Sequence, residues 1–340
     1  MDYLIAAAGL GLLLIAGDFL VRGAVNLALR LGIPALIVSL TVVAFGTSAP
    51  ELVISIGSVL DDAPGLAIGN VVGSNTANVL LVLGVPALLY GLATGEHKTS
   101  RNFLWMLSAT ALFIALAWLG PFAWWNGLIL LAGFAVVTAS QVRSARRHRR
   151  ANHAARARAR AAARAEAERR EAGGAEDDAD ISPEEIEGAN PEMPGWRVAL
   201  FLILGLAGLP VGAQLLVTSA VNIATAWGVS ETVIGLTLVA VGTSLPELAT
   251  TIAAGLRRQA DVALGNVIGS NMFNLLVIIG VASLFGRIPV EDEILRFDLW
   301  VMAGASVLLA PFVIWRMNMG RITGAALTVL YAAYVYLILT

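Results

Sequence analysis

GTSAPEL at 46–52 returns as GTSLPEL at 242–248, and GNVVGSNTANVLLVLG at 69–84 returns as GNVIGSNMFNLLVIIG at 265–280. One shift of 196 positions relates both pairs, with six of seven and nine of sixteen positions identical. Hydrophobic bias alone does not hold Gly, Thr, Ser, Pro, Glu and Asn in register, so the chain contains a duplicated element. Each copy carries one glutamate, Glu51 or Glu247, inside a strongly apolar stretch. An ionisable side chain is expensive there and by default marks an ion pathway.

Outward from these blocks, composition sets the class. The chain is 58% hydrophobic and 14% charged with a mean hydropathy of +0.79, far more apolar than a soluble domain requires. Helices of about 18 to 25 apolar residues cross roughly 30 Å of hydrocarbon. Ten can be drawn, near 3–28, 33–58, 65–90, 103–120, 124–142, 197–223, 230–255, 262–285, 298–315 and 322–339. The amino-terminal stretch lacks a basic region and a cleavage site and reads as a retained first span. Zero cysteines remove disulfides, thiolate catalysis and cysteine metal sites. The partner implied is the lipid bilayer; nothing points to nucleic acid, and no cofactor is expected.

Residues 143–195 form the one polar segment. They open on QVRSARRHRR, continue Ala/Arg-rich to Arg170, and turn acidic at EDDAD (176–180). The segment reads as a solvated tether too polar and short for a core of its own, with a basic helix on anionic headgroups as the alternative for its first part. EDDAD lacks the ligand spacing and glycine of an EF-hand. With this linker cytoplasmic, Lys98, Arg101, Arg257, Arg258, Arg316 and Arg321 share its side, and only Arg287 and Arg296 lie opposite. That puts both termini outside. Five spans precede the linker and five follow it. The expected fold is all-α integral membrane, ten transmembrane helices in two inverted-topology five-helix repeats: 1–142 the first, 143–195 the linker, 196–340 the second.

The chemistry is expected where the second helix of each repeat is interrupted. Pro50 has no N–H for the carbonyl of Gly46 and Pro246 none for Gly242, so the backbone should loosen across both motifs and free carbonyl oxygens for a cation. Glu51 lies three residues after Ser48 and four after Thr47, on one side of the helix; Glu247 stands likewise to Ser244 and Thr243. In the following helices Ser74 shares a face with Asn78, and Ser270 with Asn274. The donors are all oxygen, which suits a hard cation such as calcium and argues against zinc, copper or nickel. An empty dianionic site is costly to carry through the apolar layer, so exchange of one cation for another follows more naturally than uniport. Gly69 with Gly73 and Gly265 with Gly269 read as close helix packing. Asn70, Asn75, Asn266 and Asn271 read as partners of loosened backbone, and Asp61 and Asp62 as an exposed turn. Asp18 is paired with Gln214 in the repeat, so its charge is not preserved.

These residues resemble the two alpha-repeats of the cation/calcium exchanger superfamily, in its sodium/calcium branch. The resemblance covers the whole membrane portion and leaves out only the linker. It implies a secondary antiporter that exchanges Ca2+ for Na+ by alternating access, with about three Na+ per Ca2+ and net charge movement. By position it implies calcium ligands at Glu51, Glu247 and the carbonyls of Thr47 and Thr243. Sodium sites would draw on the same glutamates with Ala44, Thr47, Ser48 and Ser74 of one repeat and Ala240, Thr243, Ser244 and Ser270 of the other. Asn78 and Asn274 are neutral amides in the central site, which resembles the potassium-independent members more than the potassium-dependent ones.

Three other readings compete with this one. A proton- or potassium-coupled exchanger of the same superfamily would move calcium without sodium. An intramembrane enzyme needs a catalytic pair or a zinc motif, and the spans hold neither: His97, His148 and His153 lie in loops or the linker. A channel built on two buried carboxylates would bind a divalent ion too tightly for fast conduction.

Overall fold

The computed structural model describes residues 1–94, 99–171, 193–227 and 240–339, without the side chains of 148, 149, 151–171, 240 and 339. Among the described residues the chain is helical apart from two isolated antiparallel bridges. We number its helices α1 (Asp2–Leu31), α2 (Ala35–Thr47), α3 (Ala49–Leu60), α4 (Pro64–Tyr90), α5 (Ser100–Trp118), α6 (Trp124–Glu171), α7 (Gly195–Ala226), α8 (Ala240–Thr243), α9 (Leu245–Leu256), α10 (Ala260–Phe285), α11 (Ile294–Val313) and α12 (Arg321–Leu339). Eight of them are long and apolar enough to cross a membrane, and α2 with α3, bent by 43°, form a ninth crossing. Of the seventh expected span, 230–255, residues 230–239 lie outside the described ones; α8 and α9 are its second part. Lys98 also lies outside them.

The duplication is visible as a local two-fold relation. Gly9 and Gly205 are repeat mates, as are Leu20 and Leu216. A Cβ on Gly9 would lie 2.8 Å from the Leu216 nitrogen, and one on Gly205 would lie 2.8 Å from the Leu20 nitrogen. Contacts that exchange mates in this way are those a two-fold axis produces. Residue numbers rise along α1 as they fall along α7, so the two mated helices are packed antiparallel: the repeats are inverted. The bridges lie near the same relation, one residue out of register on one side. Leu92 pairs with Met319 and its mate Ile288 pairs with Phe122, each through two N–H···O bonds of 2.8–3.0 Å.

Burial follows the duplicated sequence. Helices α4 and α10 occupy the centre, and every residue of α10 from Val262 to Leu276 is buried. The outer helices turn apolar side chains outward, among them Leu4, Val53 and Ile322. In lipid these meet hydrocarbon rather than water, so their exposure carries no hydrophobic penalty. Trp118, Trp124, Trp196 and Trp300, near helix ends, are exposed as in an interfacial belt. Helix α1 stops where Gly32 adopts φ 67°, a left-handed cap whose flanking N–H groups return to Leu29 and Ala28. Near its middle, Asp18 accepts from Arg22 at 2.9 Å and pairs with Arg257 at the end of α9.

One boundary differs from expectation. The sequence reading ends the fifth span at 142 and begins a tether, yet α6 continues unbroken to Glu171. At 1.5 Å per residue its 48 residues extend about 72 Å, more than twice the hydrocarbon thickness. Ala and Arg are strong helix formers, and their density after Gln141 carries the helix past the apolar residues. EDDAD lies outside the described residues.

Candidate ion site

Both motifs break the helix at the same serine. Ser48 stands between α2 and α3 at φ −88°, ψ 7°, and Ser244 between α8 and α9 at φ −87°, ψ 4°. The prolines sit in the first turn of α3 and α9, where a missing N–H costs nothing because no partner exists for it. The sequence reading placed the disturbance across Gly46 to Pro50; the structure puts the discontinuity at Ser48 and restarts the helix before the proline. Glu51 and Glu247 follow in the first turn of the restarted helices, at the positive ends of their dipoles. They are 1% and 0% exposed.

The two motifs meet. Ser48, from the first repeat, donates to Glu247 Oε1 at 2.9 Å, and Ser270 donates to the same oxygen at 3.4 Å. Thr47 Oγ1 lies 3.4 Å from Ser270 Oγ and donates to Asn266 Oδ1 at 3.2 Å. Ser48 stands one turn before Glu51, so its bond to Glu247 ties together the two glutamate-bearing motifs. Neither glutamate takes part in an ion pair among the described residues.

Six buried oxygens of the residues expected at the site have no hydrogen-bond partner: Glu51 Oε2, Glu247 Oε2, Ser74 Oγ, Ser244 Oγ, Asn78 Oδ1 and Asn274 Oδ1; Asn75 Oδ1, beside them in sequence, also has none. All six belong to the duplicated blocks. A buried polar group without a partner costs about 1–3 kcal/mol, and more when charged, so a cluster of them calls for a ligand. Six oxygens including two carboxylates form the donor set of a hard cation. Ala44 is buried beside Thr47 on α2; Ala240 is placed by its backbone at the start of α8. Thr243 Oγ1 donates to Asn70 Oδ1 at 3.5 Å.

The other asparagines bind protein. Asn70 donates to Ser55 Oγ at 3.2 Å, and its mate Asn266 donates to Thr251 Oγ1 and to the Glu247 carbonyl, both at 3.3 Å. Each amide thus clamps the threonine before the break to a hydroxyl four residues beyond the glutamate. The sequence analysis missed Ser55 and Thr251, although both are hydroxyl residues at the same offset. Asn75 and Asn271 donate to each other's backbone carbonyls at 3.4 Å, on the local two-fold, and Asn78 donates to Asn271 Oδ1 at 3.0 Å. Asn78 and Asn274 each open a π-helical turn, Asn78–Val82 and Asn274–Ile278, which sequence did not signal. Gly265 and Gly269 pack against Leu36, Ser39, Leu40 and Ala44 as expected. Around Gly69 and Gly73 no described atom lies within 4 Å of a Cβ position; the partners expected from the repeat correspond to positions 232, 235, 236 and 240, of which the first three lie outside the described residues, so the expected packing of this pair falls there too.

Comparison with known proteins bears on the family and the fold. A family profile described as sodium/calcium exchanger protein matches residues 2–143 and 197–340. The chain is 33% identical over 333 residues to the putative antiporter CaxA of Alkalimonas amylolytica, covering 97% of this chain and 96% of the relative. It is 33% identical over 346 residues to the sodium/calcium exchanger MaX1 of Methanosarcina acetivorans, covering 98% and 97%. A solved structure of the sodium-calcium exchanger NCX_Mj, soaked with Na+ and Sr2+, superposes with a TM-score of 0.76 at 30% identity, covering 98% of this chain and 97% of that one. The inverted membrane repeats, the paired buried glutamates and these likenesses together make the chain a member of the sodium/calcium exchanger protein family, a transporter and not an enzyme.

Proposed function

We propose that the chain extrudes calcium by exchanging one Ca2+ for about three Na+ through alternating access, so that each cycle moves net charge. What carries the reading is the set of six unpartnered buried oxygens, with two carboxylates that take part in no ion pair among the described residues. Glu51, Glu247 and the carbonyls of Thr47 and Thr243 hold calcium. The same glutamates with Ala44, Thr47, Ser48 and Ser74, and with Ala240, Thr243, Ser244 and Ser270, hold sodium. Asn78 and Asn274 keep the centre polar without adding charge. The protein works in the cell membrane with the linker on the cytoplasmic side.

Calcium uptake into sodium-loaded proteoliposomes tests this. Uptake is expected to require the outward sodium gradient and, because three Na+ leaving for one Ca2+ entering carry one net positive charge out per cycle, to accelerate when the interior is clamped positive and to slow when it is clamped negative. Uptake that persists without sodium and follows a pH gradient would reassign the chain to proton coupling.

Ser48 and Ser244 give a finer expectation. Ser48→Ala removes the hydroxyl that donates to Glu247, and is expected to raise the sodium concentration for half-maximal exchange about threefold to tenfold, the effect of losing one hydrogen bond to a charged group of about 1.5–3 kcal/mol after partial replacement by water. Calcium binding measured without sodium is expected to change less. Sodium activation unchanged in both Ser48→Ala and Ser244→Ala would remove the serines from the sodium sites.

A further inference from the structure

A cavity of about 380 Å³ opens beside the site, lined by Ser58 of α3, Asn70 and Ser74 of α4, Thr243 of α8, Asp298 of α11 and Tyr334 of α12, among others. Its lining includes Ser74 and Thr243 of the duplicated blocks and also Ser58 and Gly65, which flank the turn at Asp61 and Asp62 in sequence. Ser74 is 3% exposed and its Oγ has no partner, so a buried, unsatisfied donor-acceptor lines the same space as a carboxylate that belongs to neither duplicated block.

Asp298 closes the π-helical turn Ile294–Asp298, and Tyr334 donates to its Oδ1 at 2.8 Å. Aligning the start of α11 with that of α5 through Arg101 and Arg296, Leu104 and Leu299, Trp105 and Trp300 puts Phe103 opposite Asp298. Phe103 is fully buried in the core. The fold therefore accommodates an apolar ring at this place in one repeat, and the carboxylate of the other is not a packing requirement. At the mouth, Glu291 Oε1 lies 3.0 Å from a Cβ position on Gly65, which lines the cavity. Asp61, Asp62, Asp292 and Glu293 are exposed nearby in sequence, with Arg296 paired to Asp292 at 3.4 Å. Carboxylates at the rim and in a low-dielectric wall concentrate cations in the space between them.

We propose that Asp298, oriented by Tyr334, is an accessory cation-attracting carboxylate in the access cavity, which captures the incoming divalent or monovalent cation before it reaches Ser74 and Glu51. This rests on the exchange reading given above. The bond from Tyr334 occupies one carboxylate oxygen and aims the side chain, which makes Tyr334 a positioning residue.

The test uses the full-length chain in right-side-out and everted membrane vesicles, with initial 45Ca uptake measured as a function of Ca2+ at each face. Asp298→Asn keeps an acceptor for Tyr334 and removes the charge. It is expected to raise the half-saturating Ca2+ at the Asp61 face about threefold to tenfold at low ionic strength, with the maximal rate and the linker face unchanged. The difference should shrink as inert salt is added. Tyr334→Phe keeps the charge and is expected to show a smaller rise, and Asp298→Glu to recover most of the wild-type value. An unchanged half-saturation in Asp298→Asn would overturn the proposal. So would equal losses of maximal rate and thermal stability in Asp298→Asn and Tyr334→Phe, which would make the pair a structural tie between α11 and α12. Wild-type vesicles that move no Ca2+ would overturn the exchange reading and this inference together, whereas active wild type with unaltered Asp298→Asn kinetics rejects this inference alone.

Discussion

Glu51→Gln and Glu247→Gln are each expected to abolish calcium uptake while leaving the protein folded and inserted. Glutamine has the shape of glutamate and still offers an amide oxygen, so in Glu247→Gln the donations from Ser48 and Ser270 can persist. What is lost is one of the two negative charges in a site where, among the described residues, no ion pair offsets either of them. A divalent cation leaving water needs that charge, because neutral oxygens repay little of its hydration in a buried space. The expected loss of calcium affinity is at least about 100-fold, or about 2.7 kcal/mol. Size-exclusion profiles and thermal midpoints near wild type, with uptake at background, are the expected combination. Normal uptake in either variant would take that glutamate out of the site.

Gly269→Ala is expected to damage both stability and transport. Its Cβ would lie 2.6 Å from the Ala44 Cβ and 2.7 Å from the Leu40 carbonyl oxygen, and backbone cannot yield as a flexible side chain does. Overpacking of this kind costs about 1–3 kcal/mol. The damage reaches the site because α2 and α10 are the helices forced apart. Thr47 and Ser48 at the end of α2 are bonded to Asn266, Ser270 and Glu247, so a shift of a few tenths of an ångström breaks the set. Gly57→Ala is the matched control: no described atom lies within 4 Å of its Cβ position. Alanine is the better helix former by about 1 kcal/mol, so this variant should be as stable as wild type or more so, with transport unchanged. Thermal midpoints and initial uptake rates of the two variants decide the matter, and indistinguishable variants would contradict the close contact.

The features legible in the sequence are those that duplication displays. Two motifs in one register announced paired repeats, Glu51 and Glu247 announced the buried charge, and the basic linker with its odd number of preceding spans announced inversion, which the antiparallel packing of Gly9 on Leu216 and Gly205 on Leu20 bears out. The break fell at Ser48 rather than around Pro50 because a proline is at home in a first helical turn. Sequence symmetry also hid a structural asymmetry. Ser48 and Ser270 bond to Glu247, while their mates Ser244 and Ser74 have unpartnered hydroxyls on the Glu51 side. Motifs this similar cannot announce which of the two glutamates takes the serine hydrogen bonds. The π-helical turns at Asn78 and Asn274 left no mark in composition or spacing, and Asp298 was overlooked because it stands outside the duplicated blocks. The extension of α6 was hidden for another reason: charge suggested a tether, whereas helix propensity decided the backbone.

Equilibrium binding of 45Ca2+ to the purified protein in sodium-free buffer tests most directly whether the two repeats hold one ion between them. Wild type is expected to bind one Ca2+ per chain, displaced by sodium, and Glu51→Gln and Glu247→Gln are each expected to bind none in the same range. Two independent calcium ions per chain, with each variant losing one and keeping the other at wild-type affinity, would contradict a shared site.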